Sequence, residues 1–303
     1  MKKILVTGAS GFIGRKILKL LVNGGYEVHA VSRNIFNCDK VKWHSANLLD
    51  KYEADELIKK IEPECIFHFA WYVIPGKYNN FERNILWLQA SIEILKSFKE
   101  AGGKKFIFAG TCAEYGKSYG LMNEENTPSN PESIYGICKL SFEKIALEYC
   151  HQVAMKFVSG RIFYLYGENE NENRVIPYVI NKLLKNEIAL CSNGNQIRDF
   201  MYVDDVVGAF YSVLENSVEG IVNIGSGQAI RLRDILMSIG EKLGKTELIQ
   251  LGGIKTNVNE PPVIVADNQK LIIEANWKQQ YNLDQGIDRV INWWKCKNYN
   301  SIS

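Results

Sequence analysis

A chain of 303 residues has room for one large domain or two smaller ones sharing a cleft. Its 46% apolar content is that of a globular protein with a sizeable core, and a net charge of +2 is too near neutral for a nucleic-acid or membrane-surface binder. Seven cysteines (Cys38, Cys65, Cys112, Cys138, Cys150, Cys191 and Cys296) are odd in number and irregularly spaced, with no CxxC. They suggest neither a disulfide framework nor a metal site, so reduced thiols in a cytoplasmic protein are expected.

In chain order, Lys3–Val6 reads as a buried strand; its apolar run is too short for a signal-peptide core. Phe12–Leu21 reads as a helix, Tyr26–Val31 as a strand and Val41–Trp43 as a weaker one. Ala54–Ile61 is helical, and Cys65–Ala70 is a strand whose Cys65 and His68 read as core. Asn84–Lys99 carries Ile85, Leu88, Ile92 and Leu95 at helical spacing. Lys105–Ala109 is a strand, Tyr135–Tyr149 a helix and Lys156–Val158 a strand. Such alternation predicts an α/β, Rossmann-like doubly wound parallel sheet. Beyond Gly167 helices dominate: Val175–Lys185, Asp204–Leu214, Arg231–Leu243 and Gln285–Trp294. Strands there are short, Ile188–Leu190 and Ile221–Ile224, and the tail from about Lys297 reads as frayed. The expected division is a dinucleotide-binding domain over 1–166 and a smaller, mainly helical substrate domain over 167–303, with part of 196–224 returning to the first.

The segment Thr7-Gly8-Ala9-Ser10-Gly11-Phe12-Ile13-Gly14 links the first strand to the first helix. A tight turn needs residues without a Cβ, and a pyrophosphate must approach backbone N–H groups at a helix N-terminus. The GxxGxxG spacing is weak alone and strong on a strand–turn–helix unit. Gly8, Ser10, Gly11, Phe12, Ile13 and Gly14 are therefore the expected cofactor loop. The second strand ends in Ser32-Arg33 with no carboxylate for a ribose 2′-hydroxyl. A hydroxyl and a guanidinium suit a 2′-phosphate, which favours NADP(H) over NAD(H).

Tyr135-Gly136-Ile137-Cys138-Lys139 is a YxxxK motif, and Tyr178 to Lys182 is a second that reads as structural. Only the first follows a strand ending on a hydroxyl, Thr111. Residues four apart share a helix face, so Lys139 is expected to reach both the Tyr135 phenol and a cofactor ribose. The ammonium is expected to lower the phenol's pKa. Protonated Tyr135 then serves as donor to a carbonyl oxygen that Thr111 holds by a hydrogen bond.

These segments together resemble the extended short-chain dehydrogenase/reductase family, in its sugar-nucleotide branch, over nearly the whole chain. The likeness takes in His68-Phe69-Ala70, Asn84, Thr111-Cys112-Ala113-Glu114-Tyr115-Gly116 and Arg161 to Gly167. It also takes in Gln196 to Asp205 and Asn223-Ile224-Gly225-Ser226-Gly227. The resemblance implies further cofactor contacts from Asn47, Leu48, Phe69 and Ala70. It implies a nucleotide-sugar substrate whose diphosphate is gripped by Arg198, with Thr111, Cys112, Tyr135 and Tyr164 also facing the substrate. Asp204-Asp205 reads as a helix N-cap. A homodimer built through helices like Asn84–Lys99 and Tyr135–Tyr149 is a further implication.

The departures bear on the reaction. Sugar-nucleotide 4,6-dehydratases look like Thr-Asp-Glu where this chain has Thr111-Cys112-Ala113, which argues against elimination. Reductases that also epimerise, such as GDP-fucose synthase, carry a Cys two residues after the hydroxyl and a His after the Tyr-Gly segment. Here Cys112 is one residue after Thr111, and Asn169 stands at the other place. Cys112 then reads as packing. Tyr164 replaces the usual Asn, and Glu260-Pro261-Pro262 lies where relatives often offer a second phosphate-binding Arg. Two reactions remain: reduction of a 4-keto-6-deoxy sugar nucleotide, or 4-epimerisation on retained NAD. Ser32-Arg33 favours the first. A non-catalytic NAD(P)-binding regulator is a third reading, against which the Tyr–Lys pair stands.

Overall fold

The computed structural model describes residues 2–34, 40–255 and 260–300; Cys38 lies outside them. The chain runs through β1 (Lys3–Thr7), α1 (Gly14–Asn23), β2 (Glu27–Ser32), β3 (Val41–Ser45), α2 (Lys51–Ile61) and β4 (Cys65–His68). Then come α3 (Phe81–Glu100), β5 (Lys105–Thr111), a 3-10 turn at Cys112–Tyr115, β6 (Gly120–Met122), α4 (Ile134–Gln152) and β7 (Lys156–Ile162). It continues with β8 (Tyr164–Tyr166), α5 (Val175–Leu184), β9 (Ala189–Cys191), β10 (Ile197–Arg198), β11 (Phe200–Tyr202) and α6 (Val203–Glu215). The remainder is β12 (Gly220–Ile224), β13 (Ile230–Arg231), α7 (Leu232–Leu243), β14 (Ile249–Leu251), β15 (Val263–Ala266), α8 (Gln269–Ile273) and α9 (Leu283–Asn300).

Runs such as Ile4-Leu5-Val6 and Phe106-Ile107-Phe108 lack polar alternation because both faces of the strand are covered. Among the described residues, seven strands form one parallel sheet in the order β12-β7-β5-β4-β1-β2-β3. Ile4 and Val6 face a core shared with Ile17, Leu21, Val206 and Phe210. Leu5 faces the other, with Leu95, Phe106, Phe108 and Phe142. This is the doubly wound α/β fold expected. The strand order reverses between β1 and β4, so a crevice opens beyond their carboxyl ends.

Two strands are longer than their composition suggests. β5 and β7 continue through Ala109↔Gly160, Gly110↔Arg161 and Thr111↔Ile162. The glycines are there for packing: a Cβ on Gly160 would meet the Phe210 ring at 2.7 Å, and one on Gly110 the Ser159 hydroxyl at 2.8 Å. β12 joins the large sheet beside β7, whereas β10 and β11 pair elsewhere. A second sheet, β13-β10-β15-β6, joins the segment after Thr111 to the C-terminal part, which is therefore less purely helical than its periodicity implies. α9 runs on to Asn300, past the expected fraying point. Lys105 is buried, and its ammonium donates to the Val213 and Asn216 carbonyls. Among the described residues, no helix is long and apolar enough to cross a membrane.

Candidate active site

Gly8 follows β1 at φ +64°, and a Cβ there would meet Ala70 N at 2.7 Å. A Cβ on Gly14 would meet the Gly8 carbonyl at 2.2 Å, so the turn and the helix start both need glycine. Gly11 N donates to Gly8 O at 2.9 Å, and Arg15 donates to the Ser10 and Gly11 carbonyls from outside. α1 begins at the Ile13–Gly14 junction with no side-chain cap and no acid in its first turn. Its N-terminal field is thus open to an anion, and these residues fit a dinucleotide pyrophosphate. Phe12 and Ile13 pack on the first core. Phe69 meets Phe210 edge-on at 5.0 Å, and Ala70 N donates to Thr7 Oγ1 at 3.2 Å.

The polar residues expected to face the adenosine make only local contacts. Arg33 is exposed at the end of β2, and the Ser32 hydroxyl is engaged locally with Asn34. Asn47 is exposed, while its N–H donates to Glu53 at 2.7 Å and its Oδ1 accepts from Leu49 N at 3.3 Å. Leu48 is buried in the second core.

Thr111 ends β5 and Tyr135 opens α4, whose N-cap Ser133 accepts from Gly136 N at 3.1 Å. A Cβ on Gly136 would meet Ala113 O at 2.7 Å, so the first turn of α4 lies directly on the turn after β5. That approach places the Thr111 side chain beside the Tyr135 phenol, whose ionised form it favours. Lys139 is buried one helical turn on; its Nζ donates to Ala109 O at 2.7 Å and lies 4.1 Å from the Trp71 ring centroid. Nζ stands 5.9 Å from the Tyr135 ring centroid.

The electrostatics differ from expectation. Burial raises the Tyr135 pKa, with the Thr111 hydrogen bond working in the opposite direction. The expected lowering by an adjacent ammonium is absent: the Lys139 Nζ is turned to the Ala109 carbonyl, and a phenolate in a dry site loses more hydration than its neighbours restore. Burial also pushes Lys139 down to about 7, opposed by Glu114, so Lys139 is not a permanent cation. Cys112 is pushed up to about 12 by burial, which keeps a neutral thiol at the strand end and fits packing.

Three residues behind this pair were quoted in the sequence but given no role, or missed. Glu114 Oε1 accepts from Thr111 N at 2.8 Å while Thr111 Oγ1 accepts from Ala113 N at 3.2 Å, a capping box. Glu114 Oε2 and both carboxylate oxygens of Glu143 receive the Arg161 guanidinium, all three side chains being fully buried. The triad ties β5, α4 and β7 together beneath Thr111. The Thr-x-x-Glu spacing of Thr111 and Glu114 was the available signal; Glu143 had none.

Of the residues expected to face a substrate, Cys112 and Tyr164 pack on one small cluster with Tyr115, Met122 and Phe163. The Arg198 guanidinium lies 5.4 Å from the Tyr164 ring centroid. It is almost wholly buried and pairs with Glu260 at 2.6 Å, not with Asp199. Asp199 instead accepts from Ser226 N and Oγ, Gly227 N and Ala266 N, which accounts for the Asn223–Gly227 segment. The helix-cap reading of Asp204-Asp205 is corrected: α6 has Tyr202 at its N-cap without a side-chain cap, Asp204 pairs with Lys16, and Asp205 accepts from Gln280 N and Tyr281 N. The second YxxxK pair is structural, Tyr178 accepting from Leu190 N and Lys182 pairing with Glu187. His68 is likewise core, bonded to Thr7 and Ser91.

Comparison with known proteins agrees with this geometry. Residues 4–225 match the profile of the NAD dependent epimerase/dehydratase family. A Methanocaldococcus jannaschii protein, provisionally assigned as a UDP-glucose 4-epimerase, is 32% identical over 97% of this chain and 99% of its own length. An Escherichia coli dTDP-4-dehydro-6-deoxyglucose reductase is 29% identical over 97% of this chain and 98% of its own. The Thermus thermophilus UDP-glucose 4-epimerase, solved in complex with NAD, superposes with a TM-score of 0.84 at 25% identity, covering 97% of this chain and 99% of that one. The chain belongs to the NAD-dependent epimerase/dehydratase family of extended short-chain dehydrogenase/reductases, and is an NAD(P)-dependent enzyme of the sugar-nucleotide type.

Proposed function

We propose that this enzyme reduces the keto group of a nucleoside-diphosphate 4-keto-6-deoxy sugar. The observation that carries the reading is the bare strand end. Thr111 stands beside Tyr135, while the next two positions hold a neutral thiol and a methyl group. An elimination needs an acid and a base beside the sugar; simple carbonyl reduction needs one proton donor. The relative named dTDP-4-dehydro-6-deoxyglucose reductase supports the same reading.

A bound nicotinamide supplies the hydride. Tyr135, held protonated by burial, gives its proton to the carbonyl oxygen, which the Thr111 hydroxyl holds in place. Lys139, near 7, passes a proton back to the phenolate. Ser10, Gly11 and the start of α1 hold the pyrophosphate. Exposed Arg33 beside Ser32 favours the 2′-phosphate of NADP(H). In this reading residues 1–166 with β12 bind the cofactor, 167–303 shape the substrate site, and Arg198 meets the diphosphate. A second copy in the cytoplasm would cover Leu86, Ile137 and Ile145, which are exposed on α3 and α4.

The test is NADPH consumption with dTDP-, CDP-, GDP- and UDP-4-keto-6-deoxy sugars, together with extraction of bound nucleotide. Stoichiometric oxidation is expected, and Tyr135→Phe is expected to lower kcat by about 10²–10⁴-fold. The named relatives also favour a second reading, 4-epimerisation on retained NAD. Tightly bound NAD with interconversion of 4-epimers and no net NADPH oxidation would establish that reading instead.

A further inference from the structure

The phosphate-facing guanidinium of this chain already has an anion. Arg198 is 2% exposed in its side chain, and its Nη2 donates to Glu260 Oε1 at 2.6 Å. Its Nη1 donates to the Ile197 carbonyl at 2.8 Å, and its Nε is buried without a partner among the described residues. Tyr164 lies against the guanidinium at 5.4 Å. Among the described residues, the one carboxylate on the fork thus belongs to a side chain that is one-third exposed, on the solvent side of the buried guanidinium. A buried guanidinium loses most of its hydration, so it needs a carboxylate or a phosphate at all times.

We propose that Glu260 is a specificity-determining residue that occupies the phosphate subsite until a nucleoside diphosphate displaces it. This rests on the reading of Arg198 as the diphosphate contact. The planar guanidinium fork donates to carboxylate and phosphate oxygens alike, so one can be exchanged for the other without moving Arg198. If Glu260 stayed in place, its carboxylate would face the incoming phosphates at hydrogen-bond range. The exchange therefore subtracts from substrate affinity, lowers the retention of the nucleotide product, and keeps the empty site neutral. It also discriminates by charge: a nucleoside or monosaccharide without phosphates gains nothing by displacing Glu260.

The test is calorimetric titration of the full chain with UDP, CDP, dTDP and GDP, and with the matching nucleosides, for wild type, Glu260→Gln and Arg198→Gln. A charge-assisted bond freed for the ligand corresponds to roughly 10–100-fold tighter diphosphate binding in Glu260→Gln, with nucleoside binding unchanged. Unchanged or weaker diphosphate binding in Glu260→Gln, alongside weakened binding in Arg198→Gln, overturns the exchange and leaves Arg198 as the phosphate contact. Unchanged binding in Arg198→Gln overturns the reading of Arg198 itself. Arg198→Lys keeps the charge if the Gln variant does not fold; diphosphate binding as tight as wild type would then count against a fork-specific exchange.

Discussion

Lys139 is a cation placed where water is scarce. It sits between the Trp71 and Phe108 rings with one backbone carbonyl as acceptor. Burial lowers its pKa from the ordinary 10.5 to about 7. The unfolded chain therefore holds more protons than the folded one between about pH 7 and 10.5, and this residue's contribution to stability rises with pH across that window. Below it the penalty is complete. Lys139→Met is expected to lose turnover while melting higher than wild type at about pH 6, by roughly 1–4 kcal/mol. The advantage should shrink toward about pH 9, by about 1.4 kcal/mol per unit. Thermal melts at both pH values check this; a pH-independent difference would sink the explanation. The Tyr–Lys spacing was legible in the sequence because helical geometry is local. The low proton affinity was not, because it comes from Trp71, Phe108 and the closed packing around them.

At the level of elements, the site depends on how closely α4 lies against the turn after β5. Gly136 is the point of closest approach, where a Cβ would meet Ala113 O at 2.7 Å. That contact is backbone, so it cannot yield by a rotamer change. Gly136→Ala is expected to destabilise by about 1–3 kcal/mol through overpacking. It should also lower kcat more than it raises KM, because Tyr135 moves away from Thr111. A melting curve with steady-state kinetics decides; wild-type kcat with wild-type Tm would remove Gly136 from the argument. The helices of the first half were legible from apolar spacing and the glycine loop. β6 and β15 were not, since three- and four-residue strands carry no period of their own and exist only through their pairing in the small sheet. The apolar run places β5 only through Ala109, although Thr111 reads as its end; the pairing of Gly110 with Arg161 carries the strand on to Thr111.

At the scale of the molecule, one carboxylate joins the small sheet to the edge of the large one. Asp199, between β10 and β11, accepts from Ser226 N and Oγ, Gly227 N and Ala266 N at 2.6–3.1 Å. A Cβ on Gly225 would meet this carboxylate at 2.7 Å, so the loop after β12 is shaped around it. Asp199→Asn sets an amide N–H against donors and is expected to cost about 1–3 kcal/mol. With Arg198 next in the chain, nucleoside-diphosphate binding should weaken more than cofactor binding, as titration of each ligand would show. Equal loss of both would point to global loosening instead. The sequence by itself determined the parallel sheet, and it singled out the glycine loop and Thr111, Tyr135 and Lys139 as the candidate site. Each rests on short-range patterns: apolar runs, glycines where a Cβ cannot fit, and residues four apart on a helix. Only the tertiary structure decided that Arg198 faces Glu260, that Glu114 and Glu143 share Arg161, and that the Lys139 pKa falls to about 7. Those outcomes depend on charges far apart in the chain being enclosed together, where burial and partner choice outweigh any local preference.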